Sequence, residues 1–357
     1  VDSLVGSEMC IRDRIIGIAT KFFTCTLSVM YREKTKQGEI FGGPMYVIKN
    51  GLPKRMLPLA YFFALAGMIG CLPAFQSNQL IQITGDLAFS EIENFNILGG
   101  LVLAGITGIV VIGGLKRIAE VATFLVPLMG SIYFGAMLVA LILNLNLVLP
   151  AFKLIFIDAF NGTAIAGGTF FGVLIYGVRR GAFSNEAGMG TESLVHGVAK
   201  VSNPVKQGLV AMTGPIFDTL IICTATALMI LVSGVWETSS SQGVTLTAEA
   251  FSILLGNFGG LILFVCVICF GLSTIFTYSY YGASCSRFLF GKFGMKFYIY
   301  LYILSIFIYS IVPIDIAINI ADGAFAMMAI PTLISALWLA PKVMQASKNY
   351  FKLIDNN

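Results

Sequence analysis

Nine apolar stretches dominate the chain, at about residues 15–31, 57–84, 97–113, 119–143, 160–178, 207–234, 253–282, 297–313 and 317–340. Each approaches the roughly 20 residues that a helix needs to cross the hydrocarbon core of a bilayer. Composition agrees: of 357 residues 57% are hydrophobic and only 11% charged, where a soluble domain carries about 25% charged residues. Mean hydropathy is +0.88. A water-soluble chain of this size has no way to hide so much apolar surface. Soluble enzymes, nucleic-acid binders and disordered scaffolds are thereby excluded, and the expected fold class is an all-α polytopic membrane protein embedded in a lipid bilayer. The net charge of +4 is too small to indicate a nucleic-acid partner.

The few charges carry the topology. The connection 32–56 holds Arg32, Lys34, Lys36, Lys49, Lys54 and Arg55, whereas 85–96 has no basic residue and contains Asp86, Glu91 and Glu93. Lys116 and Arg117 follow in the next turn, then a single Lys153, then Arg179, Arg180, Lys200 and Lys206, then none across 235–252. Arg287, Lys292 and Lys296 come next, then Asp315 alone, then Lys342, Lys348 and Lys352 in the tail. Eighteen Lys or Arg thus fall on one side and one on the other. The positive-inside rule puts the basic side in the cytoplasm.

The beginning of the chain does not fit this alternation. Nine spans that end in the cytoplasm start outside, yet Arg12 and Arg14 precede the first span and Lys21 lies within it. An intramembrane lysine needs a partner or a path to the interface. Residues 1–14 lack the apolar core of a signal peptide and are expected to be a non-native leader in place of an upstream helix. The expected organisation is this leader, a transmembrane domain over 15–341 and a cytoplasmic tail over 342–357.

Catalytic signatures are scarce. The one histidine, His196, sits in a basic connection and reads as a solvated residue, and no metal-protease, nucleophile-elbow or phosphate-loop motif occurs in a suitable context. Cys266 and Cys269 have CxxC spacing but stand among Phe, Val and Ile. Reactive thiols need an electropositive setting, so both read as packing residues. Gly100, Ala104 and Gly108 form a small-residue stripe for close helix packing. Neither an enzymatic activity nor a bound cofactor is expected.

What remains is irregularity inside apolar segments. Gly162, Gly167, Gly168 and Gly172 crowd the stretch 160–178, and each glycine weakens a helix by about 1 kcal/mol relative to alanine. A broken helix there aims backbone dipoles at an anion, and unwound carbonyls at a cation; the alternative is close packing. In 253–282, Ser273, Thr274, Thr277 and Tyr278 interrupt an apolar run. Adjacent hydroxyls supply the hard oxygens a small cation prefers, or simply bond back to their own helix. Thr274 and Tyr278 share a face at i and i+4. Asp218, after Gly214 and Pro215, reads as a helix cap or a cation ligand, and Asn185 with Glu186 as an inner-gate latch or a cap of a short helix.

Several passages together are specific: GIATKF at 17–22, GGPMY at 42–46, LVPLMG at 125–130, YGVRRGAFSNEAGMG at 176–190, NPVKQGLVAM at 203–212, DT at 218–219 and YYG at 280–282. Through them, from about residue 15 to past 280, the chain resembles the alanine or glycine:cation symporters, also called the sodium:alanine symporter family. The resemblance implies the inverted-repeat, five-plus-five-helix fold of amino-acid–polyamine–cation transporters. It makes 15–31 the second core helix and 160–178 the sixth, so the first core helix is expected to be missing and the chain as it stands inactive. It implies sodium as the coupling ion, a small neutral amino acid (alanine or glycine, with serine open) as substrate, and a bacterial or archaeal plasma membrane. By the same resemblance Ser273 and Thr274 hold sodium; Thr274, Tyr278, Gly167 and Gly168 border the substrate; Asn185 and Glu186 gate or cap. Tyr278 departs from the usual Trp, and Thr24 from a position that is often acidic. The competing expectations are proton coupling, another substrate on the same fold, or a channel.

Overall fold

The computed structural model of the chain describes residues 17–36, 38–89, 92–160, 186–239, 241 and 243–355. The leader expected over 1–14 and the Gly-rich stretch 161–178 lie outside the described residues, as do Gly167, Gly168 and Asn185. Apart from a small hairpin, in which β1 (Glu33–Lys34) pairs antiparallel with β2 (Ile40–Phe41), the described fold is helical. The helices begin with α1 (Gly17–Met30), α2 (Pro44–Gly51), α3 (Leu57–Gly70), α4 (Ala74–Ala88), α5 (Phe95–Val111), α6 (Gly114–Leu143), α7 (Leu145–Phe160) and the short α8 (Thr191–His196). They continue with α9 (Pro204–Ser233), α10 (Val244–Leu255), α11 (257–290), α12 (292–311) and α13 (Ile314–Asp355).

Among the described residues five helical stretches are long and apolar enough to cross a membrane: Lys54–Gly85, Gly114–Leu143, Pro204–Ser233, Phe258–Ile311 and Ile314–Ile354. The stretch expected over 57–84 is a pair, α3 and α4, parted at Cys71–Pro73. Proline lacks the N–H that would continue the ladder. Its carbonyl instead anchors the next helix, accepting from the Ser77 hydroxyl and the Ser77 N–H. The stretches 253–282 and 297–313 become a helical hairpin, α11 and α12, reversed at Gly291 with φ +69°, a backbone conformation open chiefly to glycine. The two arms run in opposite directions: the Tyr302 hydroxyl donates to the Ile275 carbonyl at 2.7 Å, and Tyr298 packs over Gly282. Helices α7 and α10 occupy connections, and the tail beyond 342 continues α13 to Asp355.

Packing follows side-chain size. On α5 the small-residue stripe does what its spacing predicts: Gly100 meets Ser310 and Gly108 meets Ile303 on α12, with Ala104 buried between them. Helix α9 starts at an Asn203 cap whose side chain accepts from the Val205 N–H at 2.9 Å, with Pro204 at the first helical position. It crosses α1 where Gly208 faces Thr26. The main core joins α3, α4, α5 and α11 to α13, and a second joins α6, α9, α10 and α11. The outward faces stay apolar. Ile109 is 64% exposed and Leu143 70%, a surface suited to lipid rather than water.

Candidate functional site

The polar face of α11 comes first. Ser273 and Thr274 both donate to the Phe270 carbonyl, at 2.9 Å each, and Thr277 donates to the Ser273 carbonyl at 2.9 Å. The back-bonding arrangement is therefore present. It does not consume the hydroxyls, because an oxygen that gives its proton to a carbonyl still has its lone pairs to offer. Ser273 is buried and faces the Met129 sulfur on α6 at 4.0 Å. One turn beyond Thr274, Tyr278 is buried between Tyr281, at 5.5 Å between ring centroids, and the edge of Phe325 on α13, at 6.2 Å.

The segment 186–197 closes over this end of α11. Tyr278 is near enough for Glu186 to act on its hydroxyl, and the Glu186 carboxylate accepts from the Thr191 hydroxyl at 2.7 Å. Two residues that the sequence singles out separately, Tyr278 and Glu186, are thus neighbours. Glu186 is not the cap of α8, since the N-cap is Gly190. Gly190 has φ +86°, and a Cβ there would collide with Pro44 and Thr332, which explains why the AGMG turn needs glycine. The segment is then tied down on three sides. Thr332 of α13 donates to the Met189 carbonyl at 3.2 Å. The Ser28 hydroxyl of α1 donates to the Ser193 carbonyl and accepts from the Gly43 N–H, each at 2.7 Å. Gly42 of the GGPMY loop lies against the backbone of Gly197.

Beneath α8 lies a buried charged cluster whose address the sequence did not reveal. Glu192 is buried, its Oε1 accepts from the Thr24 hydroxyl at 3.1 Å, and its Oε2 has no hydrogen-bond partner. Lys21, also buried, is near enough for its charge to act on Glu192 and on His196. Burial pushes the Glu192 carboxyl up to about 7 against the opposing pull of Lys21. This is the neighbour that Lys21 required, and the signal for it was that requirement itself. His196 is not the solvated residue expected. Its Nδ1 lies 2.5 Å from the Gln207 amide nitrogen, and burial followed by the Lys21 charge lowers its pKa to about 4. The ring is therefore neutral and accepts the Gln207 N–H at Nδ1. Capping by Asp218 is also overturned. It sits within continuous helix α9, in a π-helical stretch over Ile216–Cys223, a feature frequent at functional sites.

Of the residues singled out from sequence, Ser273, Thr274, Tyr278 and Glu186 belong to one region, and Gly167, Gly168 and Asn185 lie outside the described residues. Cys266 and Cys269 are free thiols on α11, the first against the Met129 carbonyl, in keeping with a packing role.

Comparison with known proteins gives one answer. A family described as the sodium:alanine symporter family matches residues 11–357. The chain is 36% identical over 350 residues to the sodium/alanine symporter AgcS of Methanococcus maripaludis, covering 95% of this chain and 76% of that protein. It is 37% identical over 348 residues to the uncharacterized transporter YflA of Bacillus subtilis, covering 94% and 72%. Against the probable sodium/glutamine symporter GlnT of Bacillus subtilis it is 33% identical over 339 residues, covering 94% and 70%.

Proposed function

The chain belongs to the sodium:alanine symporter family, and on that footing we propose that it couples sodium entry to uptake of a small neutral amino acid across the cell membrane. As a member of a symporter family it is a multi-pass transporter and not an enzyme. The observation that carries the sodium assignment is the hydroxyl pair Ser273 and Thr274, both committed as donors to the Phe270 carbonyl. Their lone pairs are left for a hard cation. In this reading Thr274 and Tyr278 border the substrate beside Gly167 and Gly168, on the inverted-repeat fold that the family resemblance implies. Alanine and glycine are the substrates that reading favours.

The segment 186–197, with Glu186 beside Tyr278 and tied to α13 and α1 through Thr332 and Ser28, supplies the gate. While it holds, this segment is fastened over the helix that carries both proposed ligands. Release of the cytoplasmic side then requires the Ser28 and Thr332 ties to break. Asn185, next to Glu186, belongs to the same latch.

A second reading is favoured by one observation: Glu192, buried with an unpartnered oxygen and a pKa near 7, is suited to carry a proton through the transport cycle. Uptake of labelled alanine into proteoliposomes, with the protein expressed from its complete gene, separates the two. Sodium symport predicts uptake driven by an imposed sodium gradient and abolished when that gradient is dissipated. Ser273→Ala should then raise the sodium concentration for half-maximal uptake about tenfold, the equivalent of one weakened ligand at about 1.4 kcal/mol. Uptake driven by a proton gradient without sodium would overturn the sodium assignment in favour of Glu192.

A further inference from the structure

On the basic side of the molecule, away from the residues just discussed, a cavity of about 390 Å³ opens between the β-hairpin, the start of α3 and the α11–α12 turn. That volume is within the range of small-ligand sites. We propose that this cavity holds the phosphate headgroup of an anionic phospholipid.

Charge is the first ground. Lys34, Lys49, Arg287 and Lys292 line the cavity against Glu33 as its lining carboxylate. Lys49 is paired with Glu33 and Arg287 with the adjoining Glu39, each at 2.8 Å. Four cations against two carboxylates leave a net positive mouth, and Lys34 and Lys292 both reach solvent. The Arg287 guanidinium also lies 3.7 Å over the Phe41 ring, which holds it at the cavity wall. A phosphodiester matches such a mouth, accepting from guanidinium and ammonium groups together.

Shape and place supply the second ground, and they distinguish a lipid from a soluble phosphate. Aromatic rings form the floor: Phe288 packs edge-on to Tyr46 at 5.3 Å and lies 5.7 Å from Tyr61. From Tyr61, which lines the cavity, an uncovered apolar lane runs along α3 through Leu65 and Ile69, exposed 46%, 52% and 49%. These residues are spaced i, i+4 and i+8, so they share one face. On the other flank of Lys292 the rings of Phe290, Phe293 and Phe297 are exposed, the latter two stacked. A cationic mouth that opens onto apolar lanes fits an amphiphile with its acyl chains along the helices. Basic pockets between helix ends are where anionic headgroups dock, on the leaflet that carries anionic lipid, and the positive-inside pattern assigns this face to that leaflet.

The test is native mass spectrometry of the purified protein in detergent, with thermal unfolding in parallel. Phosphatidylglycerol, phosphatidylcholine and glycerol phosphate are each added at matched concentration. The expected result is retention of phosphatidylglycerol about tenfold over phosphatidylcholine, a preference of about 1.4 kcal/mol, and no displacement by excess glycerol phosphate. The Lys34→Gln/Lys292→Gln protein should lose the preference, whereas Lys348→Gln/Lys352→Gln, with the same charge removed from the tail, should keep it. Three results would overturn the assignment: equal retention of both lipids, equal loss in both double variants, or stabilisation by glycerol phosphate with no lipid retained. Where the first double variant unfolds in detergent before any lipid is added, Lys34→Gln alone, at an exposed position, gives the same decision.

Discussion

Glu192 and His196 occupy neighbouring turns of one buried cluster and titrate in opposite senses. Burial raises the Glu192 carboxyl from its usual 4.5 to about 7 and lowers the His196 imidazole from 6.5 to about 4. Folding between these values takes up a proton at the carboxyl and releases one at the ring, so the two effects on stability nearly cancel. Single substitutions should expose each slope. The Glu192 contribution is fully present below pH 4.5 and is lost as pH rises through about 7. The His196 contribution is present above pH 6.5 and is lost as pH falls through about 4. Thermal unfolding of His196→Asn should therefore show stability falling with rising pH across this window. Glu192→Gln should show it rising, each by on the order of 3 kcal/mol. Parallel slopes in the two variants would refute the cluster as described. The sequence already held half of this. Lys21 in an apolar segment demanded a partner, but Glu192 stands 168 residues beyond Thr24, and only the fold supplies that address.

At the scale of elements, glycine and proline decide where an apolar segment runs as one helix and where it divides or doubles back. Pro73 parts α3 from α4, whereas Pro127 rides inside an unbroken α6, its carbonyl accepting from the Ser131 hydroxyl at 2.7 Å. Both prolines stand in apolar surroundings, so hydrophobicity alone does not say which one ends a helix. The GGPMY motif was visible as a motif, but its physical cause is tertiary. A Cβ on Gly42 would lie 2.5 Å from the Gly197 Cα, so two segments far apart in sequence meet backbone to backbone. Gly42→Ala is expected to cost about 1–3 kcal/mol through this clash and to loosen the segment that carries Glu186. Gly105, in α5 with nothing within 4 Å of an added Cβ, is the control. Gly105→Ala should be neutral, or stabilising by up to about 1 kcal/mol. Thermal unfolding of the two variants in one detergent checks both, and equal behaviour would remove the backbone contact as the reason for the motif.

For the whole molecule, the alternation of charge along the chain has a counterpart in space. Connections that the sequence assigned to one side converge. Arg32 donates to the Ala199 carbonyl at 2.8 Å, Arg287 pairs with Glu39 at 2.8 Å, and Lys342 donates to the Tyr31 hydroxyl at 3.0 Å. On the other side, in the first turns of α4, the Asn78 amide donates at 2.6 Å to the carbonyl of Val312, which caps the end of α12. Sidedness was legible because charge is expensive in hydrocarbon and must collect at the ends of spans. Which helix lies beside which was not, because lipid-facing and protein-facing apolar residues look alike in sequence; the α5–α12 seam is told apart from the lipid face only by Ser310 and Ile303 standing opposite Gly100 and Gly108. The same reasoning fixes orientation. Lys200 and Thr238 are both exposed and lie in successive connections across α9, so they should face opposite compartments. A membrane-impermeant thiol reagent applied to intact cells should label Thr238→Cys at once and Lys200→Cys only after lysis. The six described native cysteines are buried or half-buried, and with Cys10 replaced by serine they leave a low background. Labelling of Lys200→Cys from outside would invert the whole assignment and, with it, the leaflet that the basic cavity faces.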